Sequence, residues 1–596
     1  MKKITALVSA LTLLLSLAAC GAQNPISASQ GETEVKPSAA SHAELTEERQ
    51  SSEISVHDIR KADTKIYDFC AESSDFQIYF VNGADDIPYI EVSQLAELMN
   101  RVAVMLDDTN FSIAVSVEDN TATLTRETGY FAEINFDTGE IYFVDYNAFF
   151  TYSTAFSIID SSIGVSTDAD GNYQYVSATE NTFERYGREI TIELSNYDIY
   201  LAVSEDGASH YIPLSTCSDI FFSPSGISLA YNGENVFEIP GGQLPDEAES
   251  VYYSVAPKDR SEELATFSYN ELCLAMDMFY GLKDEHNITS FNLFFDETGQ
   301  NVDLQDTDPQ ISDAALAELT MGYLSDLHSA LVSPSPYSGY DFNPYGSTHY
   351  GYSALKSDTD MNIYSVKRDE AFPKGWPAYQ EVGNTAFITF DMFLGNTEDY
   401  YGGAEINPDN DTIALVIYAN KQIQRANSPI KNVVIDLSNN SGGSTQAAIY
   451  LLSWLTGNCY INISDSFTGA QVATNYVADT NLDSNFDEND NISDKNIFCL
   501  ISPNSFSCGN LVPAMLKSSG KATLLGNTSG GGTCIVYYLA TADGALLQIS
   551  SPYRLSTISN GSFYNVDQGV EPDFKIVHTE NYYNRKALSS YINSLF

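Results

Sequence analysis

Val433-Val434-Ile435-Asp436-Leu437-Ser438-Asn439-Asn440-Ser441-Gly442-Gly443 reads as an apolar strand that ends in a glycine pair. The two glycines leave bare backbone N–H groups that could face a developing oxyanion. Downstream, Asn496 to Ser502 reads as a second strand. It turns through Pro503-Asn504-Ser505-Phe506-Ser507-Cys508-Gly509 into an apolar helix over Leu511-Val512-Pro513-Ala514-Met515-Leu516. A hydroxyl or thiol at that turn stands at a helix N-terminus, where partial positive charge favours its anionic form. Gly569-Val570-Glu571-Pro572-Asp573 completes the series. Strand, glycine pair and nucleophile turn, in that order, point to covalent catalysis by an oxygen or sulfur nucleophile.

The other end of the chain predicts where this happens. Met1-Lys2-Lys3 is a positive start, Ile4 to Leu17 is a short uncharged apolar run, and Leu17-Ala18-Ala19-Cys20-Gly21 is a small-residue cleavage site ending in Cys. Residues 1–20 therefore read as a secretory signal, too short for a stable span. The Cys at the cut resembles a bacterial lipoprotein box, which implies lipidation of Cys20 and anchoring of the mature protein on the extracytoplasmic face of the cell membrane. Ordinary cleavage beside an incidental Cys is the alternative.

A net charge of −52 over 596 residues argues against a nucleic-acid partner and would be repelled by an anionic bilayer, so a lipid tether is what would hold the protein there. Eight cysteines occur at irregular spacing with no CxxC pair, which speaks against a zinc site or a dense disulfide framework. Residues 21–62 are rich in Ser, Ala, Glu and Gln and read as a flexible linker. Residues 63–250 read as a β-rich, stalk-like repeat region. Asp85-Asp86-Ile87-Pro88-Tyr89-Ile90-Glu91-Val92 is echoed by Ala208-Ser209-His210-Tyr211-Ile212-Pro213-Leu214, and hairpin-like strands lie between them. A binding or spacer module is the expected role there.

Apolar residues at helical spacing follow, over Tyr269 to Tyr280 and Ala314 to Leu327. The second run leads into Ser325-Asp326-Leu327-His328-Ser329. The aromatic, Pro- and Gly-rich residues 336–382 read as long loops or a lid, and regular structure resumes at Thr385 to Phe393.

The succession Leu324-Ser325-Asp326-Leu327-His328-Ser329, Asp436-Leu437-Ser438-Asn439-Asn440-Ser441-Gly442-Gly443, Ser505-Phe506-Ser507-Cys508-Gly509-Asn510, Gly526-Asn527-Thr528-Ser529-Gly530-Gly531 and Gly569-Val570-Glu571-Pro572-Asp573 resembles the C-terminal processing (tail-specific) and tricorn-like serine peptidases. The resemblance covers roughly half the chain. It implies an α/β fold: a crotonase-like core of repeated ββα units at 383–596, with a helical cap at 255–335 and the site between them. It also implies a polypeptide substrate and no cofactor for catalysis. The family's nucleophile falls on Ser507, not Ser505, and the amides of Gly442, Gly443 and Cys508 would form the oxyanion hole.

Many relatives carry a Lys base in the segment that here reads Thr528-Ser529-Gly530-Gly531-Gly532. Gly531 stands in its place, which excludes a Ser–Lys dyad unless another Lys intrudes. The tricorn-like branch uses a His from the cap, matched by His328, whose ordinary pKa near ~6.5 suits a general base. A helix C-cap is the other reading of His328. Glu571 is the family-like acid to orient it and Asp326 the local rival, although Glu571 could equally be a surface carboxylate. Leu327 departs from the Ser that precedes the His in that branch, and Ser438 stands where an Arg often follows the Asp-Leu pair. Cys508 competes as nucleophile but falls one residue late.

A last segment, Asp479 to Asp490, spaces Asp479, Asn481, Asp483, Asp487 and Asp490 as a calcium loop spaces its oxygen ligands. It lacks the Gly at the sixth position, and a solvated acidic loop is the alternative to a structural calcium site. Two functions are then expected: an anchored extracytoplasmic serine endopeptidase, or an inactive peptidase-fold lipoprotein that binds a peptide or apolar ligand.

Overall fold

The computed structural model describes residues 59–69, 72–82, 84–105, 108–152, 175–559 and 562–595. The signal segment, lipidation at Cys20 and nearly all of the expected linker lie outside them. Among the described residues no helix is long and apolar enough to cross a membrane.

Val433, Val434 and Ile435 have no exposed surface, so the strand Asn432–Asp436 is buried on both faces. Each such side chain contributes about 1.5–3 kcal/mol by leaving water. The strand lies inside a six-stranded sheet ordered Tyr379–Val382, Thr385–Thr389, Asn432–Asp436, Asn496–Ile501, Ala522–Gly526, Phe574–Lys575. All pairs after the first are parallel, with Ile435 opposite Ile388 on one side and Cys499 on the other. Parallel neighbours need crossovers, and the first three carry helices, while the last, from Ala522–Gly526 to Phe574–Lys575, runs through strands. Thr412–Ile423 starts where Asp411 accepts from the Ala414 N–H. Thr445–Thr456 starts where Ser444 accepts from Ala447 and stops at Gly457 in the left-handed region. The third crossover is Cys508–Ser519. The fold is α/β, with this core as expected.

A second sheet packs on the crossover helices Thr445–Thr456 and Cys508–Ser519, ordered Ala330–Ser333, Leu546–Ser559, Cys459–Asp465, Gln471–Ala478, Val176–Arg185, with Cys534–Ala540 also on Leu546–Ser559. Its last strand comes from the region read as a stalk. Val176–Arg185 pairs along its length with Gln471–Ala478. Asn147 donates to Asp465 Oδ2 at 2.8 Å and to the Tyr553 hydroxyl at 3.0 Å, and the Tyr146 ring lies edge-on to Phe467. The described residues of 63–250 are thus joined to the core through Tyr146, Asn147 and Val176–Arg185. The internal echo has a structural basis: Tyr89–Glu91 and His210–Pro213 are antiparallel neighbours, Ile90 facing Ile212, and each runs into a helix.

The cap is built on Glu262–Phe279, capped by Ser261, and on Pro309–Glu318, capped by Asp308. The second helix continues only as a π-turn, Leu319–Leu324, and breaks at Ser325 with φ +47°. It does not reach Leu327. Residues 336–382, expected as loop, contain the 20-residue helix Tyr352–Ala371. Only Tyr364 and Arg368 of that helix are buried, so it shows no apolar face turned to a core and escapes a periodicity search.

Candidate active site

Ser507 is the residue at which the strand Asn496–Ile501 gives way to the helix Cys508–Ser519. Its backbone sits at φ +55°, ψ −123°, a conformation that costs a non-glycine residue roughly 1–3 kcal/mol and persists only when its surroundings impose it. Here they do. Ser507 N–H donates to Gly531 O at 2.9 Å, and Gly530 N–H donates to Ser505 O at 2.8 Å. Ser507 is half-buried, and its hydroxyl makes no hydrogen bond among the described residues. Ser505, two residues earlier, is fully buried and spends its hydroxyl on Leu437 O (2.7 Å) and the Ser502 N–H (3.0 Å).

The glycine pair lies directly against Ser507. A Cβ on Gly442 would come within 2.5 Å of the Ser507 Cβ, and one on Gly443 within 2.3 Å of Phe393 O. Both glycines have φ above +110°, so side chains are excluded twice over. The three expected oxyanion donors are not equivalent. Gly442 N–H already donates to Asn440 Oδ1 at 3.0 Å, whereas the N–H groups of Gly443 and Cys508 have no acceptor among the described residues. The Cys508 thiol points to Gly443 O at 3.1 Å, and burial pushes its pKa up to about 12. It is a packed thiol, unsuited to act as a thiolate.

His328 is on the turn after the π-turn, entering the strand Ala330–Ser333, so it caps no helix. Its N–H donates to Asp326 Oδ1 (2.9 Å) and its carbonyl accepts from Gln548 (2.6 Å). The imidazole stacks obliquely on Phe506, ring centres 4.7 Å apart, beside the nucleophile turn. Burial lowers its pKa, and the carboxylates of Asp326 and Asp567 oppose that.

Asp567 was not singled out in the sequence. It is the carboxylate, besides Asp326, whose charge acts on the His328 imidazole, while its Oδ1 accepts from Thr533 N–H at 3.2 Å. Burial raises its pKa and His328 lowers it. Glu571, expected to orient the imidazole, is instead a surface group. It accepts from the Thr528 hydroxyl at 2.8 Å and pairs with Lys575 at 3.2 Å. Those contacts hold its pKa below the ordinary value. Asp567 lies four residues before Glu571, and Gly531 packs against Asp567 O, where a Cβ would stand at 1.7 Å. The same contact explains why no lysine occupies position 531.

The absent Arg at Ser438 also has a structural counterpart. Arg585, from the C-terminal helix Arg585–Asn593, donates to Asp436 Oδ2 at 2.6 Å, and Ser438 Oγ donates to Asp436 Oδ1 at 2.6 Å. The guanidinium reaches Asp436 from a distant part of the chain.

The acidic loop holds itself together. Asp479 accepts from the N–H groups of Leu482 and Ser484 and from the Tyr401 hydroxyl, each at 2.7 Å. Asp490 accepts from Thr480, Asn481 and Asp487 N–H groups. Asn481, Asp483 and Asp487 each accept from the N–H two residues on. Among the described residues no group of three or more His, Cys, Asp or Glu side chains is gathered to hold a metal.

Residues 412–576 match the family model "Peptidase family S41". A Chlamydia pneumoniae protein is 28% identical over 102 residues, 17% of this chain and 16% of that one. Among solved structures, the photosystem II D1 C-terminal processing protease is similar over 32% of this chain and 42% of its own (17% identity, TM-score 0.23). The tricorn protease is similar over 82% and 46% (11% identity, TM-score 0.29). Mature CPAF is similar over 35% and 50% (16% identity, TM-score 0.26). The chain thus spans less than half of the Chlamydia protein and of the D1 processing protease. On that match, residues 412–576 are similar to peptidase family S41.

Proposed function

We propose that this protein is a serine peptidase of exported polypeptides, with Ser507 as nucleophile, His328 as general base and the Gly443 and Cys508 amides as oxyanion donors. The observation that carries the reading is the unspent hydroxyl of Ser507, held in a strained turn against Gly442, whose side-chain space it occupies. Ser507 Oγ attacks the scissile carbonyl and passes its proton to His328. The imidazolium so formed is stabilised by Asp567 and Asp326. The carbonyl oxygen, now negative, is received by the two free N–H groups, each contributing about 3–4 kcal/mol to the transition state. His328 then gives that proton to the leaving amine as the C–N bond breaks, and water, deprotonated by the same imidazole, hydrolyses the acyl-enzyme and restores Ser507. Cys20 would carry the lipid that anchors the enzyme outside the membrane.

A second reading, a peptide-binding protein without turnover, draws on one feature: among the described residues Ser507 and His328 share no hydrogen bond. The test is labelling of the protein lacking residues 1–20 with a fluorophosphonate probe, beside Ser507→Ala and His328→Ala. Labelling lost in both variants supports the peptidase. A folded wild type that does not label overturns it.

A further inference from the structure

The imidazole of His328 rests on an aromatic ring, not on a hydrogen bond. The main chain of His328 is fixed: its N–H donates to Asp326 Oδ1 at 2.9 Å and its carbonyl accepts from Gln548 at 2.6 Å. Neither ring nitrogen has a hydrogen-bond partner among the described residues. Two side-chain torsions are therefore settled by packing alone. What the imidazole packs on is Phe506, with 4.7 Å between ring centres and an interplanar angle of 54°. Phe506 immediately precedes Ser507.

Phe506 is itself fixed from several sides. Its N–H donates to Asn440 O at 3.0 Å, in the segment that leads to the glycine pair. Its carbonyl accepts from Gly509 N–H at 2.8 Å, in the first turn of the helix after Ser507. Its main chain also pairs with Gly531 in an isolated parallel bridge. The ring lies on Gly532, where a Cβ would overlap the ring edge and where φ is +77°. A side chain at 532 is thus excluded, and the ring has a fixed bed. Tilted rings at this separation attract one another, so a held ring also holds the imidazole stacked on it.

We propose that Phe506 is the positioning residue of the base: its ring fixes the plane of the His328 imidazole beside Ser507 and keeps water from it. The inference rests on the peptidase reading for its purpose, but the contact can be tested without turnover. Two carboxylates act on the imidazole, Asp326 from its own turn and Asp567 from the loop after Ser562–Tyr564. Both favour the imidazolium, whereas burial favours the neutral ring that can take the serine proton. Phe506 supplies part of that burial, so it acts on His328 in the direction opposite to Asp567. Removing the ring admits water and raises the titration midpoint of His328; removing the Asp567 charge lowers it. A residue that only held the turn together would move neither.

The first measurement is the titration of His328 by NMR in the Ser507→Ala protein, where turnover plays no part. Histidine is isotope-labelled, and the signal is assigned by its loss in His328→Gln. Phe506→Ala is expected to raise the midpoint by about half a pH unit or more. Phe506→Leu keeps an apolar cover and is expected to raise it less. The second measurement is the rate of fluorophosphonate labelling across pH, with Ser507 in place. Phe506→Ala is expected to lower the plateau about tenfold and to move the acid limb upward with the midpoint. Phe506→Leu, which lacks the flat face, is expected to lower the plateau too, and it carries both readouts if Phe506→Ala does not fold. A midpoint that loss of the ring leaves unmoved or lowers overturns the inference. So does a folded variant that labels with the plateau and acid limb of the wild type. Failure of the wild type to label, with the midpoint raised as expected, would refute the peptidase and leave the Phe506 contact standing.

Discussion

Replacing Ser505 by alanine removes a hydroxyl that donates to Leu437 O and accepts from Ser502 N–H, both in a fully buried position. An orphaned buried group costs about 1–3 kcal/mol and the second lost bond about 1 kcal/mol more, so a loss of roughly 2–4 kcal/mol is expected. Ser507→Ala removes a hydroxyl with no protein partner, which places its effect within about 0.5 kcal/mol. Ser507→Gly relieves the φ of +55° and is expected to stabilise by about 1 kcal/mol. The assay is urea unfolding followed by tryptophan fluorescence. The chain has two tryptophans, and Trp454 is fully buried in the helix that follows the glycine pair. Probe labelling is measured in parallel below the transition. Ser505→Ala should unfold at lower urea and still label; Ser507→Ala should unfold as the wild type does and not label. A Ser507→Ala protein that labels, or a Ser505→Ala protein of unchanged stability that does not, would refute the assignment of roles to the two serines.

Asp567→Asn should lower kcat/KM about a hundredfold or more and shift the acid limb of its pH profile downward. The lost carboxylate is one of two that raise the His328 pKa. Glu571→Gln should leave the profile in place, and a matching shift there would restore Glu571 as the orienting acid. Glu271, fully buried on the cap helix with Thr216 as its donor, has its pKa pushed by burial up to about 8. A carboxyl protonated in the folded state stabilises fully below its unfolded pKa of about 4.3. That stability is lost as pH rises to about 8, by at most ~1.4 kcal/mol per pH unit. Glu271→Gln should remove this decline, read as urea midpoints at pH 5 and pH 8. Millimolar calcium should not move the melting temperature, since the loop oxygens of Asp479 and Asp490 already accept backbone N–H groups; a rise of several degrees would show a calcium site.

The core was legible because buried strands such as Val433-Val434-Ile435 carry their burial in their own residues, and the glycine pair carries its positive φ. The place of Ser507 just before the helix could be read because the register against the helix start is local. Asp567 was hidden for the opposite reason. It is separated from His328 by 238 intervening positions and lies under a glycine loop that packs on its carbonyl, whereas Glu571 stands in the more conspicuous Gly-Val-Glu-Pro-Asp segment four residues away. Tyr352–Ala371 escaped because its apolar residues face solvent, reversing the pattern that marks a surface helix. The acidic loop shows a different ambiguity. Asx turns and calcium ligation use the same residues at similar spacing, and only the direction of the carboxylates separates them.

The strand pairing makes one further argument about the N-terminal region. In the second sheet the strand that follows His328, Ala330–Ser333, occupies one edge, and Val176–Arg185 occupies the other. Leu546–Ser559, Cys459–Asp465 and Gln471–Ala478 lie between them. Without Val176–Arg185, the N–H and C=O groups that Gln471–Ala478 now pairs with it would be bare, and a bare edge invites pairing with other chains. The bond from Gln548 to His328 O then belongs to a sheet that the region before the peptidase completes. The β-rich region is accordingly part of the scaffold that holds the turn of His328, and a chain cut at residue 255 would lose the far edge of the sheet into which that turn leads.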